Sequence, residues 1–85
     1  MNIELIWSRI KAHSGEVFYT KTGKPYTYHV NNQALVLENT NQNIPMSNFE
    51  KALSVANPNI AEFNKLNLRG PSYIYGIITD PRIII

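Results

Sequence analysis

The sequence contains no cysteine, which excludes disulfide bonds and thiolate metal clusters. That absence suits a reducing compartment, and the cytoplasm is the location we expect. Charge is also scarce, because charged residues make up 16% of the 85 residues, against about 25% in an average domain. The net charge of +2 permits a polyanionic partner without requiring one.

Long apolar runs are missing too. No segment approaches the ~20 apolar residues of a membrane helix, so we expect no membrane partner. The opening stretch "MNIELIWSRIKAH" has neither a basic leader nor a small-residue cleavage site, and we expect no signal peptide. A hydrophobic content of 44% is typical of a folded protein, and residues 1–85 are the right length for a single small domain.

Groups for catalysis are few and scattered. Asp80 is the sole aspartate, and the two histidines, His13 and His29, have no partner at a metal-ligand spacing. The stretch "TKTGKP" lacks the first glycine and the hydroxyl residue of a phosphate-binding loop, and it favours a hairpin turn with Gly23 in a left-handed conformation. We therefore expect no metal site and no cofactor, and an enzyme of unknown type is the least favoured of three functional hypotheses.

The clearest secondary-structure signal lies at the start of the chain. Ile3, Ile6, Trp7 and Ile10 recur at the spacing of one helix face. Asn2 precedes them and is a suitable N-cap. The pattern predicts a helix that packs on a sheet.

From residue 16 to residue 38 the apolar period changes to two. The runs "EVFYT", "PYTYHV" and "QALVLE" are rich in β-branched and aromatic residues, and "KTGK" and Asn31–Asn32 are turn-forming separators. We predict a three-stranded antiparallel meander. Its buried face should carry Tyr26, Tyr28 and Val30, while Thr27 and His29 face the other way.

The next segment returns to a helical pattern. A polar loop at Asn39–Asn43 is followed by Ser47 and Glu50, which have the spacing of a capping box. We predict that this box starts a second helix that runs to about Ala56. A short helical turn is expected after it, through Ile60, Phe63 and Leu66.

The last segment, "NLRGPSYIYGIITDPRIII", has two interpretations. As a helix it begins at Pro71 and carries Ile74, Ile77 and Ile78 on one face, and as a strand it places its tyrosines on one side. We favour the helix, followed after Pro81 by a short edge strand, "RIII". The predicted fold is α+β, in which a C-terminal helix or strand closes the core.

The candidate binding residues lie in two segments. At the predicted start of the C-terminal helix, Arg69 and the free amides of Ser72 and Tyr73 could bind an anion, and Tyr73 and Tyr75 could stack on bases. Lys21 and Lys24 belong to the tip of the predicted hairpin.

These residues support two hypotheses about a partner. The first is a non-catalytic domain that binds nucleic acid or another anionic partner through the basic and tyrosine residues. The alternative is a protein-interaction or homodimer module that uses the tyrosines and the "RIII" edge. Salt distinguishes them, because phosphate contacts weaken steeply as ionic strength rises and apolar contacts do not.

Overall fold

The computed structural model describes residues 2–40 and 42–84. The helices and strands follow one another along the chain in the order α1 (Ile3–Ala12), β1 (Phe18–Tyr19), β2 (Pro25–Tyr26), β3 (Tyr28–Asn31), β4 (Ala34–Leu37), β5 (Asn43–Pro45), α2 (Met46–Leu53), α3 (Ile60–Lys65), α4 (Pro71–Ile78) and α5 (Pro81–Ile84). Strands β1 and β2 form a hairpin, and β3, β4 and β5 form an antiparallel three-stranded sheet. The α+β class predicted from the sequence is confirmed.

Helix α1 is the predicted N-terminal helix. The side-chain oxygen of Asn2 accepts a hydrogen bond from the amide of Glu4 at 2.7 Å, as expected of an N-cap. Ile6, Trp7 and Ile10 are buried, so the apolar face of the helix packs into the core on the sheet. Periodicity alone is sufficient to place this element.

The strands differ from the predicted meander. The run "PYTYHV" does not form one strand, because Thr27 separates β2, which pairs with β1, from β3, which pairs with β4. The carbonyl of Thr27 accepts a hydrogen bond from the Glu38 amide, outside both regular ladders. Tyr26 and Tyr28 are both buried and His29 is exposed, so the predicted faces are confirmed although the strand is divided.

The third strand of the larger sheet was not predicted: it begins at Asn43, the last residue of the predicted polar loop, and runs to Pro45. Strand β5 pairs Ile44 with Leu35, and both side chains are completely buried. A single isoleucine among asparagine and glutamine residues contributes a full core position, which a composition argument overlooks. Asn41, in the middle of the predicted loop, lies outside the described residues.

Two turns were predicted with different success. Gly23 has a φ of 92°, which confirms the left-handed turn of the β1–β2 hairpin. The turn between β3 and β4 consists of Asn32 and Gln33, one residue later than predicted, since Asn31 pairs directly with Ala34. Asn32 adopts the positive φ of 57° that this tight turn requires.

Helix α2 starts earlier than the capping box predicts. The amide of Met46 donates to the Gln33 carbonyl at 2.8 Å, so the chain passes directly from β5 into the helix. Pro45 occupies the N-cap position without a side-chain hydrogen bond, and Ser47 lies inside the first turn. The capping box and the extension to Ala56 were therefore wrong. The short helix predicted next is confirmed as α3.

The C-terminal segment forms two helices, α4 and α5, and no strand in its described part. Helix α4 begins at Pro71 and buries Ile74, Ile77 and Ile78, which excludes the strand alternative. The prediction that "RIII" forms an edge strand was wrong, because Pro81–Ile84 is helix α5. The Asp80 side chain accepts a hydrogen bond from the Arg82 amide at 2.9 Å and caps this helix. Ile85, the last residue of "RIII", lies outside the described residues.

Candidate functional site

The tip of the β1–β2 hairpin presents two cations. Lys21 and Lys24 are exposed on either side of the turn at Gly23. The Thr20 hydroxyl accepts a hydrogen bond from the Lys24 amide at 3.0 Å, and the Thr20 amide donates to the Lys24 carbonyl at 2.9 Å. These bonds close the turn, so the positions of both lysine backbones are well defined.

The hairpin packs on helix α4 at a glycine. A Cβ atom added to Gly76 would lie 2.0 Å from the carbonyl oxygen of Tyr19, a distance that no real side chain could tolerate. Gly76 therefore allows the edge of β1 to approach the helix more closely than any other residue would. This contact sets the position of the hairpin relative to α4.

The close approach of β1 to α4 places Lys21 beside Tyr75, and both are candidate binding residues. The ammonium of Lys21 lies 5.2 Å from the centroid of the Tyr75 ring, within cation–π range. The two residues are 54 positions apart in the sequence. Lys24 is exposed in the same hairpin tip, three residues after Lys21.

Tyr73 has a different environment from Tyr75. Its ring meets the ring of Tyr26 edge to face, with centroids 4.9 Å apart, and its carbonyl accepts a hydrogen bond from the Tyr26 hydroxyl at 3.0 Å. Tyr73 is partly buried and packs against the core. It connects α4 to the hairpin.

The start of α4 differs in one respect from the predicted anion site. Gly70 adopts a left-handed conformation with a φ of 55°, and the chain then turns into the helix at Pro71. The amide of Tyr73 donates to the Gly70 carbonyl at 3.0 Å, so the prediction that it is free was wrong. The amide of Arg69 donates to the side-chain oxygen of Asn48 at 2.8 Å, while the Arg69 residue is exposed.

The predicted residues are thus brought together in part. Lys21 contacts Tyr75 and shares the hairpin tip with Lys24, whereas Arg69 and Ser72 lie at the start of α4. Within residues 2–40 and 42–84, neither of these two makes a hydrogen bond or an ion pair with the hairpin tip.

A second cluster of charges was overlooked in the sequence. Arg82 donates to both carboxylate oxygens of Asp80, at 3.0 and 2.9 Å, and to Glu16 at 3.1 Å. It also donates to the Val17 carbonyl at 2.9 Å, and its guanidinium lies 3.7 Å from the ring centroid of Phe18. The signal that could have revealed it is "DPR", in which an aspartate N-cap precedes a proline at the first helical position.

The cluster shifts the pKa values of its members in the directions that these contacts dictate. The hydrogen bond with Arg82 lowers the pKa of the Asp80 carboxyl. The hydrogen bond with His13, 2.9 Å from Nδ1 to Oε2, and then that with Arg82, lower the pKa of Glu16. Both acids are therefore ionised at neutral pH and bound to cations of the same chain.

Burial also shifts the pKa values of two tyrosine hydroxyls, Tyr26 in the hairpin and Tyr28 in β3. Desolvation raises the pKa of the Tyr26 hydroxyl and of the Tyr28 hydroxyl. Each hydroxyl donates to a helix carbonyl, Tyr26 to Tyr73 and Tyr28 to Ile10 at 2.6 Å. Both therefore remain neutral donors, which is a structural role.

The described residues also contain a cleft outside the hairpin tip and α4. This cleft, of about 490 Å³, lies between α2 and α3, and its lining includes Ser54, Ala56, Asn57 and Asn59 and none of the candidate binding residues. No group of three potential metal ligands occurs in residues 2–40 and 42–84. In the same residues, every helix is too short or too polar to cross a bilayer.

Comparison of the chain with models of known protein families, with curated proteins and with solved structures finds no match. Its function has to be inferred from its own geometry and charge.

Proposed function

We propose that this protein is a non-catalytic domain that binds single-stranded nucleic acid. The surface consists of the hairpin tip and the exposed side of α4, and we call it the hairpin–helix surface. Its residues are Lys21, Lys24, Arg69, Ser72 and Tyr75. The observation that carries the proposal is the position of the Lys21 ammonium, 5.2 Å from the Tyr75 ring.

A cation beside an aromatic ring suits both parts of a nucleotide. Bases stack on tyrosine rings whatever their sequence, and lysine neutralises the phosphate that links them. In the free protein the Lys21 ammonium is held by the Tyr75 ring. A base that stacks on Tyr75 would take its place and leave the ammonium to contact the neighbouring phosphate.

The distribution of acidic groups supports the proposal. Arg82 forms ion pairs with both Asp80 and Glu16, and His13 also hydrogen-bonds to Glu16, so neither carboxylate pairs with a lysine of the hairpin tip. Arg69 adds a third cation at the positive end of the α4 dipole. The surface therefore keeps its positive charge although the protein carries a net charge of only +2.

Titration of a labelled single-stranded oligonucleotide at several salt concentrations tests the proposal. We expect weak binding whose affinity falls as salt rises, because phosphate contacts release counterions. Lys21→Ala should reduce the salt slope by about one unit if the side chain contacts one phosphate. Tyr75→Leu should weaken binding without changing that slope, since stacking adds affinity independently of charge.

Lys11→Ala is the matched control, because it removes the same charge from the exposed face of α1. It should leave the slope unchanged. If no binding is detected at low salt, or if Lys11→Ala and Lys21→Ala reduce the slope equally, the proposed surface is wrong.

A further inference from the structure

The outer face of helix α1 presents an aliphatic side chain next to two small ones. Leu5 is 49% exposed, and Ser8 and Ala12, three and seven residues after it, are exposed as well. Residues at these spacings lie on one side of a helix, so the three side chains form a single stripe that faces solvent. Ile6 and Ile10 are buried on the opposite side.

Two charged residues border this stripe. Glu4 and Lys11 are both exposed and are seven residues apart, so they lie on the same side of α1, about 10 Å apart along its axis. A groove of about 350 Å³ confirms the arrangement, because Glu4, Ser8 and Lys11 all line it. Within residues 2–40 and 42–84, neither charged side chain forms an ion pair.

The helix dipole explains the order of these charges but not their common side. A carboxylate is favoured near the start of a helix and an ammonium near its end. Their position around the helix axis is free to vary, and the other cation of α1 lies on a different side. The guanidinium of Arg9 donates to the Ile83 carbonyl at 2.9 Å, so it is engaged by α5. Glu4 and Lys11 are thus placed to pair with another molecule.

We propose that this face of α1, defined by Glu4, Leu5, Ser8, Lys11 and Ala12, binds the same face of a second copy of the protein. The two helices lie antiparallel about a two-fold axis that passes beside Ser8, perpendicular to both. Glu4 of each copy then lies opposite Lys11 of the other, and Leu5 lies opposite Ala12. A two-fold interface must be self-complementary, and both pairings satisfy that condition.

A second copy fits this face better than an unrelated partner does. Another helix would need a cation opposite Glu4 and a carboxylate opposite Lys11 at the same spacing, whereas an antiparallel copy supplies both. The contact is short, because the 10 residues of α1 extend about 15 Å. It therefore belongs with the interfaces that bury less than about 1,200 Å². We expect a dissociation constant of about 1 mM.

This interface shares no residue with the hairpin–helix surface. Self-association is measured without nucleic acid, so its outcome does not depend on the proposed function. At the micromolar concentrations of an oligonucleotide titration the protein is monomeric, since the expected dissociation constant is about a thousandfold higher. Lys11→Ala therefore remains a valid control in that titration.

Sedimentation equilibrium from micromolar to millimolar concentration tests the inference. We expect a reversible monomer–dimer equilibrium in the wild type. Glu4→Lys and Lys11→Glu should each weaken association roughly tenfold, because each change replaces two attractive pairs with two repulsive ones. Both side chains are exposed, so circular dichroism should remain native.

A mixture of these two variants is the sharpest test. In a mixed dimer the Glu4→Lys chain supplies two cations and the Lys11→Glu chain supplies two carboxylates, so both pairs are attractive again. Equimolar mixing should therefore restore association to the wild-type strength, although each variant alone associates weakly. The chain that carries both changes should also dimerise like the wild type, even though its two charges oppose the helix dipole.

Two further variants distinguish this interface from other causes. Glu50→Lys makes the same charge change as Glu4→Lys, but on an exposed position of α2, and should leave association unchanged. Leu5→Asp should weaken association while the helix is kept, because aspartate suits a first helical turn. A wild type that stays monomeric at millimolar concentration overturns the inference. A mixture that associates no more strongly than its two components overturns it too, because a dimer formed through another face would give that result.

Discussion

Helix α4 has an arginine near each of its ends, and the two arginines are held in opposite ways. Arg82, after the C-terminal end, donates to Asp80, Glu16 and the Val17 carbonyl, and its guanidinium covers the Phe18 ring. Arg69, before the N-terminal end, donates its backbone amide to Asn48, and its side chain makes no hydrogen bond or ion pair within residues 2–40 and 42–84. One side chain is fully engaged by the fold, while the other is left to solvent.

Burial accounts for the difference. Arg82 lies against the core, and a partly desolvated guanidinium is stable only where acceptors compensate for lost water. Arg69 keeps its hydration and needs no partner. The comparison shows that a charged residue beside a helix end is a binding candidate only when no carboxylate is already positioned to pair with it.

The largest effect on stability should come from Gly76, which lies between the two arginines in the sequence and packs α4 against the hairpin. Gly76→Ala places a Cβ atom against the Tyr19 carbonyl and must push the hairpin away from the helix. We expect a loss of about 3 kcal/mol of unfolding free energy, the upper part of the range for overpacking. Urea denaturation measures it.

Ser72→Ala on the same helix is the control for Gly76→Ala and should change stability little. In an unconstrained helix, alanine in place of glycine would add about 1 kcal/mol. A gain of that size in Gly76→Ala would show that the Tyr19 carbonyl can move aside, and that the hairpin is not fixed by this approach.

The next largest loss of stability is expected when Arg82 is replaced. Arg82→Ala leaves Asp80 and Glu16 without this partner and uncovers Phe18, so we expect a loss of about 2 kcal/mol, less than for a fully buried pair. Arg82→Lys should recover only part of it, because lysine cannot bind both Asp80 oxygens in a fork. Equal stability of the wild type and Arg82→Ala would contradict a structural role.

The same cluster should have a smaller effect on the pH dependence of stability in acid. The pKa of Asp80 is lowered in the folded protein, so its contribution to stability is complete above the ordinary value of 3.8 and is lost as pH falls through the folded value. Urea melts at neutral and acid pH measure this loss. Arg82→Ala should flatten the acid dependence, and an unchanged dependence in that variant would refute the assignment.

The smallest effect on stability is expected at the other arginine. Arg69→Ala should stay within about 0.5 kcal/mol of the wild type, because an exposed charge contributes little to the fold. The same variant should reduce the salt slope of oligonucleotide binding by about one unit if Arg69 contacts a phosphate. If the variant unfolds, Arg69 has a structural role like that of Arg82. If it binds with an unchanged salt slope, Arg69 does not contact a phosphate.

Local patterns predicted α1 and α4 well, and they predicted the strands, α5 and the ends of α2 less well. Ile6, Trp7 and Ile10 mark α1, and Pro71 marks the start of α4, because helix periodicity and proline geometry act within a few residues. The division of a strand at Thr27 and the core position of Ile44 depend on partners far along the chain. Neither is visible in local alternation of apolar and polar residues.

The candidate site was predicted as a set of residue types without its geometry. Lys21 and Tyr75 were both candidates, but their contact depends on Gly76 and on the path of β1 across α4. Arg82 was missed because its partners, Glu16 and Val17, are more than 60 residues away. Only the neighbouring "DP" pair was a local indication.

The contact between Arg9 and the Ile83 carbonyl, at 2.9 Å, has a consequence for how the chain folds. These residues are 74 positions apart, and Tyr19 meets Gly76 across nearly as long a loop. Contacts of such sequence separation form late and slowly, because the loop must close before they add stability. During synthesis the side of α1 that contacts α5 should therefore remain exposed until α5 has left the ribosome, and in that interval it is a natural target for chaperones.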